Sequence, residues 1–203
     1  MNNPIYALAL AALLMATTAT AQVSLDELDQ AMEGKEDLQE EVRLRLNDEN
    51  PDRAMAAMRL LIEKGDDRQR KLAVSHGLSS TNHDVQLAAV EAIFNSDPIL
   101  VTRWYSEDGP KSNNWRNAVG NLGGAIEVDG TARLPIRIAR YSDEDRCWVE
   151  SKNNRCAFRI NSGEITFNTD GGWTSLTLDA EGKLVGERFI ARVPTRVVVD
   201  LGA

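Results

Sequence analysis

The feature that most constrains the fold of this chain is a change of hydrophobic period near its middle. In the first half, apolar residues recur every three to four positions, as at Leu38, Val42 and Leu46, which is the spacing of one helix face. In the second half they alternate with polar residues, as in the run from Arg133 to Ile138, which is the spacing of a strand with one buried face. The sequence therefore predicts an α+β chain in which the helices come first.

The second half, residues 110–203, reads as an all-β domain. Its short alternating runs are separated by turn-forming residues. These turn signals are Asp129-Gly130, Asn161-Ser162-Gly163, Asp170-Gly171-Gly172 and Glu181-Gly182. Seven or eight short strands separated in this way predict an antiparallel β-sandwich or small β-barrel.

The first half, residues 22–109, reads as a helical domain. Ser24 and Glu27 form a capping-box pattern, and Asn50 followed by Pro51 is typical of a helix start. Further apolar stripes predict helices near residues 68–77 and 84–95. A last short helix is predicted to begin at Asp97-Pro98.

An internal repeat lies within the helical half. The segment Asn50 to Met58 aligns with Asn82 to Val90 at an offset of 32 residues, with the Asn, an Asp and two alanines identical. Small residues side by side allow two helices to approach closely. This pattern resembles HEAT-like helical repeats over about residues 50–105, and the resemblance implies paired helices stacked in a layer. An unrelated small helical bundle is the alternative.

Residues 1–21 have the pattern of a cleaved signal peptide. The apolar run from Ile5 to Ala16 has signal-peptide length, and Ala19 and Ala21 supply an A-x-A cleavage site. The alternative is an uncleaved anchor, but a spanning helix needs about 20 predominantly apolar residues. The mature chain, beginning at Gln22, is therefore expected to have no stable membrane anchor. We expect a bacterial periplasmic or secreted protein.

Export changes the meaning of the two cysteines, Cys147 and Cys156. In an oxidising compartment an isolated pair is expected to form a disulfide. Asn153 and Asn154 lie between them and tolerate the left-handed turn conformation. The sequence therefore predicts a disulfide that joins the two strands of a hairpin, with a redox-active pair as the less favoured interpretation.

The charge of the chain is concentrated in its first half. Residues 22–109 hold 19 acidic and 10 basic side chains, a net charge of −9, whereas residues 110–203 hold 12 and 13, a net charge of +1. An acidic surface repels phosphates, so nucleic acid is not expected as a partner.

Residues with catalytic chemistry are sparse. The only histidines, His76 and His83, have no Cys or carboxylate at ligand spacing, so we predict no metal and no cofactor. Among the carboxylates, Asp143, Asp145 and Glu164 are the candidates for a carboxylate-based hydrolase. This activity is the second alternative rather than the leading hypothesis.

Aromatic side chains are candidates for a binding surface. Trp115, Trp148 and Trp173 all lie in the β half, and exposed aromatic faces bind sugars in carbohydrate-binding sandwiches. We predict that Trp148 is a core residue, since it lies beside Cys147. Trp173 is kept as a candidate binding residue.

Arginines recur at intervals of four in the β half. Arg133 and Arg137 form one set, and Arg188, Arg192 and Arg196 form another. In a strand this interval keeps each set on one face. Three interpretations are open: an ordinary solvated face, a face that docks against the acidic helical half, or a site for an external anionic ligand.

Taken together, these patterns favour an exported, non-enzymatic protein-interaction module of the bacterial cell envelope. Helical repeats usually present protein-binding surfaces, and its partner would be another envelope or secreted protein. The first alternative is a binding domain for a glycan or another anionic ligand, with Trp173, Arg133, Arg137, Arg188 and Arg192 as candidate binding residues.

Overall fold

The structure is a computed structural model that describes residues 38–169 and 172–202. The predicted signal peptide and the capping box at Ser24 and Glu27 lie outside the described residues. From Gln39 onward the chain forms a single compact unit.

The helices precede the sheet, with one exception. The first described helix, α1, covers residues 38–46. It is followed by α2 (Pro51–Lys64), α3 (Asp67–Leu78) and α4 (His83–Asn95), and then by a 3-10 turn (Gly109–Lys111) and α5 (Asn113–Asn121) inside the β half. Among the described helices, none is long and apolar enough to cross a membrane.

Side-chain caps fix where these helices begin. Asn50 accepts hydrogen bonds from the backbone N–H groups of Asp52 and Arg53, with Pro51 in the first turn, as predicted. Asn82 caps α4 in the same way through the N–H of Asp84. The two copies of the internal repeat therefore share an Asn cap. The Asp that both copies contain lies inside the first helical turn.

Small residues bring α2, α3 and α4 close together. A Cβ atom on Gly77 of α3 would lie 2.5 Å from Cβ of Ala89 in α4 and 2.6 Å from Sδ of Met58 in α2. Such contacts are too short for any side chain larger than hydrogen, so Gly77 is required by the packing. Ala89 and Met58 are buried at this point.

The β half forms a closed antiparallel barrel. Its strands are β1 (Ile99–Tyr105), β2 (Ala125–Ile126), β3 (Ala132–Ser142), β4 (Cys147–Glu150), β5 (Cys156–Asn161), β6 (Glu164–Thr169), β7 (Gly172–Leu178), β8 (Leu184–Ile190) and β9 (Val193–Asp200). Strands β3 to β9 form a meander, and β1 closes it by pairing with both β3 and β9. The short β2 pairs only with the start of β3. The predicted α+β architecture is confirmed, and its β part is a barrel rather than a sandwich.

Two local predictions are wrong. The segment after Asp97-Pro98 forms β1 instead of a short helix, since Leu100, Thr102 and Trp104 alternate into the barrel interior. The barrel therefore takes its first strand from before residue 110. Helix α5 was not predicted, although Ser112 caps it by accepting from the N–H of Trp115.

The two ends of the barrel are closed by different helices. At one end, here called the α4 end, Phe94 of α4 packs against Phe158 of β5 and Trp148 of β4, with ring centroids 4.7 and 5.2 Å apart. At the other, the α5 end, Trp115 packs against Trp104 at the end of β1 with centroids 6.3 Å apart. All of these rings are buried, so one continuous apolar core joins the helices to the barrel.

The predicted disulfide is confirmed. Cys147 and Cys156 are bonded, with Cα atoms 5.6 Å apart, and they lie on the antiparallel strands β4 and β5. Asn154 in the connecting turn has a φ of 53°, as expected for a left-handed turn residue. Closing a loop of this size stabilises the fold by about 2–3 kcal/mol in the chain-entropy model.

The helices dock on the barrel through apolar side chains rather than through charge. Within the described residues, no ion pair joins a helix carboxylate to an arginine of a strand. Instead Trp148, which is buried as predicted, donates a 2.8 Å hydrogen bond from Nε1 to Oδ1 of Asn95 beside the ring of Phe94. The interpretation that the arginines bind the acidic helical half is therefore not supported by the contacts.

Candidate functional site

Four arginines lie together on the outer face of three adjacent strands. They are Arg133 and Arg137 of β3, Arg103 of β1 and Arg196 of β9, here called the arginine face. Their strand neighbours point inward: Thr102, Leu134 and Val197 are all buried. Because side chains alternate across a strand, the arginines must face outward.

Strand register places these cations close to one another. Arg103 is the direct cross-strand partner of Arg133, and on its other side it lies opposite Val198. Arg137 pairs with Ile99, and Arg196 pairs with Tyr105. Like charges directly opposite each other destabilise a sheet, so this arrangement lowers stability unless a negative charge balances it.

The protein supplies little of that negative charge itself. Nη1 of Arg103 lies 3.8 Å from Oδ2 of Asp200, which is a long and solvent-exposed ion pair. Within the described ranges, Arg133, Arg137 and Arg196 have no carboxylate within ion-pair distance. Glu187 is the cross-strand partner of Arg196 but makes no ion pair with it.

Apolar side chains are interspersed with the arginines. Ile99 is 52% exposed and Tyr105 is 42% exposed, and both lie in register with an arginine of the face. On the next strand Phe189 is 69% exposed. An exposed surface that combines Arg with aromatic and aliphatic side chains has the composition of protein interfaces.

The prediction that Arg188, Arg192 and Arg196 share one face is wrong. Ile190 pairs with Val193, so Ala191 and Arg192 form a two-residue hairpin turn with positive φ at both positions. Arg188 lies on the inward side of β8, and its Nη1 donates to the backbone oxygen of Trp173 at 2.6 Å. Because the interval of four residues spans this turn, it does not keep the three arginines on one face.

Phe189 lies on the outward side of β8. Leu184 and Ile190 are the buried members of this strand, and side chains alternate across a strand. Arg188 therefore occupies an inward position, and Phe189 an outward one.

Trp173 lies on the outer face of β7, partly covered by an arginine of its own chain. The guanidinium carbon of Arg159 lies 4.3 Å from the centroid of the indole ring, in the geometry of a cation–π contact. Arg159 is held there by a hydrogen bond from Nη2 to the backbone oxygen of Asp145. One face of the indole is thus occupied, which leaves less of the ring for stacking on a sugar.

The carboxylates proposed for hydrolysis are not gathered in one cleft. Asp143 lines a groove of about 660 Å³ beside α4, whereas Glu164 lines a different one of about 420 Å³ that also holds His83. Asp145 is exposed and accepts a hydrogen bond from Ser142. Glu164 accepts one from the hydroxyl of Ser175.

One cluster of possible metal ligands occurs among the described residues. It consists of Asp145, Cys147 and Cys156, and both cysteines are in the disulfide. Since the thiolate is the form of cysteine that ligates metals, this cluster is unsuited to hold an ion.

Two members of the arginine face were missed as candidate residues. Arg103 belongs to a segment that the sequence predicts to be part of the helical half. Arg196 shares its interval of four with Arg188 and Arg192, whereas strand register places it beside Arg103 and Arg133. The alternation of Leu100, Thr102 and Trp104 is the signal that identifies β1 as a strand and Arg103 as outward-facing.

Comparison of the chain with protein-family models, with curated proteins and with solved structures finds no significant match to any of them. The geometry of the chain itself is therefore the basis for a functional assignment.

Proposed function

We propose that this protein is a non-enzymatic interaction module whose arginine face binds an acidic, partly apolar segment of another protein. The observation that carries the proposal is the cross-strand juxtaposition of Arg103 with Arg133, flanked by Arg137 and Arg196. Among the described residues, Asp200 beside Arg103 is the one carboxylate within ion-pair distance of these four cations. An acidic partner would supply the charge that these cations lack.

The apolar side chains on the same face favour a protein over a simple polyanion. Ile99 and Tyr105 are both exposed and in register with arginines. A polyanion such as a sulfated glycan would gain from the arginines but would leave these side chains in water. A peptide with both acidic and apolar residues would cover both kinds of surface.

The proposed location is outside the cytoplasm, in the bacterial envelope or the medium. The disulfide between Cys147 and Cys156 is compatible with such a compartment. The partner proposed on this basis is another envelope or secreted protein.

The helical layer is also proposed to be HEAT-like. Support comes from the equivalent Asn caps of α2 and α4 at Asn50 and Asn82, and from the close packing of both helices on α3 at Gly77. Exposed leucines on this layer, Leu44 and Leu60, would suit a second contact with a protein partner.

The test uses three synthetic peptides and one polyanion as probes. One peptide alternates Glu with Ile, one alternates Glu with Ser, and one alternates Gln with Ile; dextran sulfate is the polyanion. Binding is measured by fluorescence anisotropy at low salt. We expect the Glu/Ile peptide to bind most tightly, and the R103Q/R133Q/R137Q variant to bind it at least about tenfold more weakly, since charge-assisted hydrogen bonds contribute about 1.5–3 kcal/mol.

A matched variant controls for the change of net charge. R43Q/R45Q/R53Q removes three exposed arginines of the helical layer and is expected to bind like the wild-type protein. Equal weakening in both triple variants would contradict the proposed site. Dextran sulfate binding as tightly as the Glu/Ile peptide would favour the anionic-ligand alternative instead.

A further inference from the structure

A cavity of about 380 Å³ lies between the helical layer and the barrel at the α4 end. The helices contribute Ile62, Val74 and Ile93 to its wall, and the barrel contributes Leu100 and Leu201. All five of these apolar side chains are buried. Its volume is within the range of small-molecule sites.

One cationic side chain enters this apolar cavity. Arg70 of α3 lines it and is half-buried. Its Nε atom is shielded from solvent and has no hydrogen-bond partner. Within the described part of the chain, the guanidinium group of Arg70 also forms no ion pair.

The other polar groups of the wall already have partners within the protein. Oδ1 of Asp200 accepts a 3.0 Å hydrogen bond from the N–H of Gly202, and its Oδ2 faces Arg103. The hydroxyl of Ser96 donates to the backbone oxygen of Ile93 at 2.8 Å. Among the polar side chains of the wall, Arg70 is therefore the one that has a buried atom without a partner.

A buried donor without an acceptor lowers stability, so an acceptor atom of a ligand placed at Nε of Arg70 would be stabilising. A planar guanidinium group fits a carboxylate through two parallel hydrogen bonds. The surrounding apolar side chains fit a hydrocarbon body. We propose that this cavity binds a small monocarboxylate with an apolar body, its carboxylate on Arg70 and its apolar part against Ile62, Val74 and Leu201.

The cavity adjoins the arginine face at Ile99 and Asp200, whereas the proposed anchor, Arg70, belongs to helix α3. The single cation favours a ligand with one negative charge over a phosphate or a polyanion. Exposed Ile99 lies at the same cavity, so the apolar surface continues beyond the buried wall and can accommodate a longer chain.

The test is isothermal titration calorimetry with decanoate, below its micelle-forming concentration, and with decanol as the neutral isostere. We expect saturable binding of one decanoate per chain, with decanol at least about tenfold weaker. The R70Q variant should bind decanoate at least about tenfold more weakly than the wild-type protein. R68Q changes an exposed arginine of the same helix and should bind decanoate like the wild-type protein.

Two further variants keep the outcome interpretable. R70K retains the charge but loses the planar fork, so it should bind with intermediate affinity if it folds as judged by circular dichroism. R133Q/R137Q, which leaves the ion pair between Arg103 and Asp200 in place, should keep decanoate binding, and this separates the cavity from the arginine face. The proposal is overturned if wild-type protein shows no saturable binding, if R70Q binds decanoate as well as wild-type protein does, or if decanol binds as tightly as decanoate.

Discussion

Each end of the barrel is closed by an aromatic ring from a helix, but the helices at the two ends leave different amounts of space against the barrel. At the α5 end, Trp115 comes from a helix inserted between β1 and β2, and its Nε1 donates a 3.0 Å hydrogen bond to Thr195 inside the barrel. At the α4 end, Phe94 comes from a separate layer of helices. Three cavities there, of about 380, 660 and 420 Å³, are lined by residues of both the helices and the barrel. A pocket of about 540 Å³ also lies at the α5 end, but its lining comes from loops and strand ends and includes no residue of α5.

This difference indicates where binding sites form in such a fold. The short helix α5 lies between two strands of the barrel in the sequence, and it closes the end of the barrel with its own side chains. A layer of several helices has its own internal packing to satisfy, so its contact with the barrel is incomplete and leaves gaps. Ligand sites commonly occur at such junctions.

Removing each closing ring should have the largest effect. F94A and W115A each delete a fully buried aromatic ring, and large-to-small changes of this kind cost about 3–5 kcal/mol of unfolding free energy. F94A should in addition separate the unfolding of the helices from that of the barrel, because Phe94 joins the two. W115A should unfold in one transition.

Guanidinium denaturation followed by both far-UV circular dichroism and tryptophan fluorescence measures this difference. The two probes should disagree in F94A and coincide in W115A. Coincident transitions in both variants, with equal losses of stability, would show that the two ends of the barrel are equivalent.

Much of this architecture follows from the sequence because local patterns determine it. The Asn50 cap, the strand alternation at Leu134 and Ile136, and the disulfide hairpin depend on neighbouring residues and are confirmed. Faces were misassigned where a turn lay inside a repeating interval, as at Arg192. In that case a single hairpin reverses which side chains point inward.

The candidate sites depend on longer-range geometry. The arginine face combines residues from β1, β3 and β9, and β1 closes a barrel between strands that are distant in sequence. No local pattern shows that Arg103 will lie opposite Arg133. Likewise Arg70 is one of several charged residues of α3, and only the packing of α3 near the C-terminal strand shows that its Nε lacks a partner.

Removing the acceptor of an indole N–H group at either end of the barrel should have an effect of intermediate size on the free energy of unfolding. T195V leaves Nε1 of buried Trp115 without an acceptor, which costs about 1–3 kcal/mol. N95A removes the acceptor of Trp148 Nε1, but that bond is only partly buried, so water can replace it and the loss should be about 0.5–1.5 kcal/mol.

Thermal denaturation of T195V, N95A and the wild-type protein measures this ordering. N95D, which keeps an acceptor oxygen at the same position, is the matched control for N95A and should retain more of the stability. A loss in N95A larger than that in T195V would show that the α4 end is the drier and more tightly packed of the two.

The smallest expected change in unfolding free energy comes from replacing Arg70 or Arg159. Both arginines have a buried Nε atom without a hydrogen-bond partner. Arg159 has other contacts, since its guanidinium group stacks on Trp173 and donates to the backbone oxygen of Asp145. The guanidinium group of Arg70 makes no hydrogen bond and no ion pair among the described residues, and its Nε is buried without an acceptor. Replacing it with an apolar side chain of similar length should therefore stabilise the free protein.

We expect R70M to raise the unfolding free energy by about 0.5–1 kcal/mol, in the range typical of single stabilising substitutions, and R159M to lower it. Chemical denaturation without added ligand measures both. Replacing a residue that is kept for binding often stabilises the free protein, whereas replacing a residue that is kept for the fold destabilises it. A loss of stability in R70M comparable to that in R159M would mean that Arg70 is held by the fold for structural reasons, and the contrast between the two ends of the barrel would then rest on Phe94 and Trp115 alone.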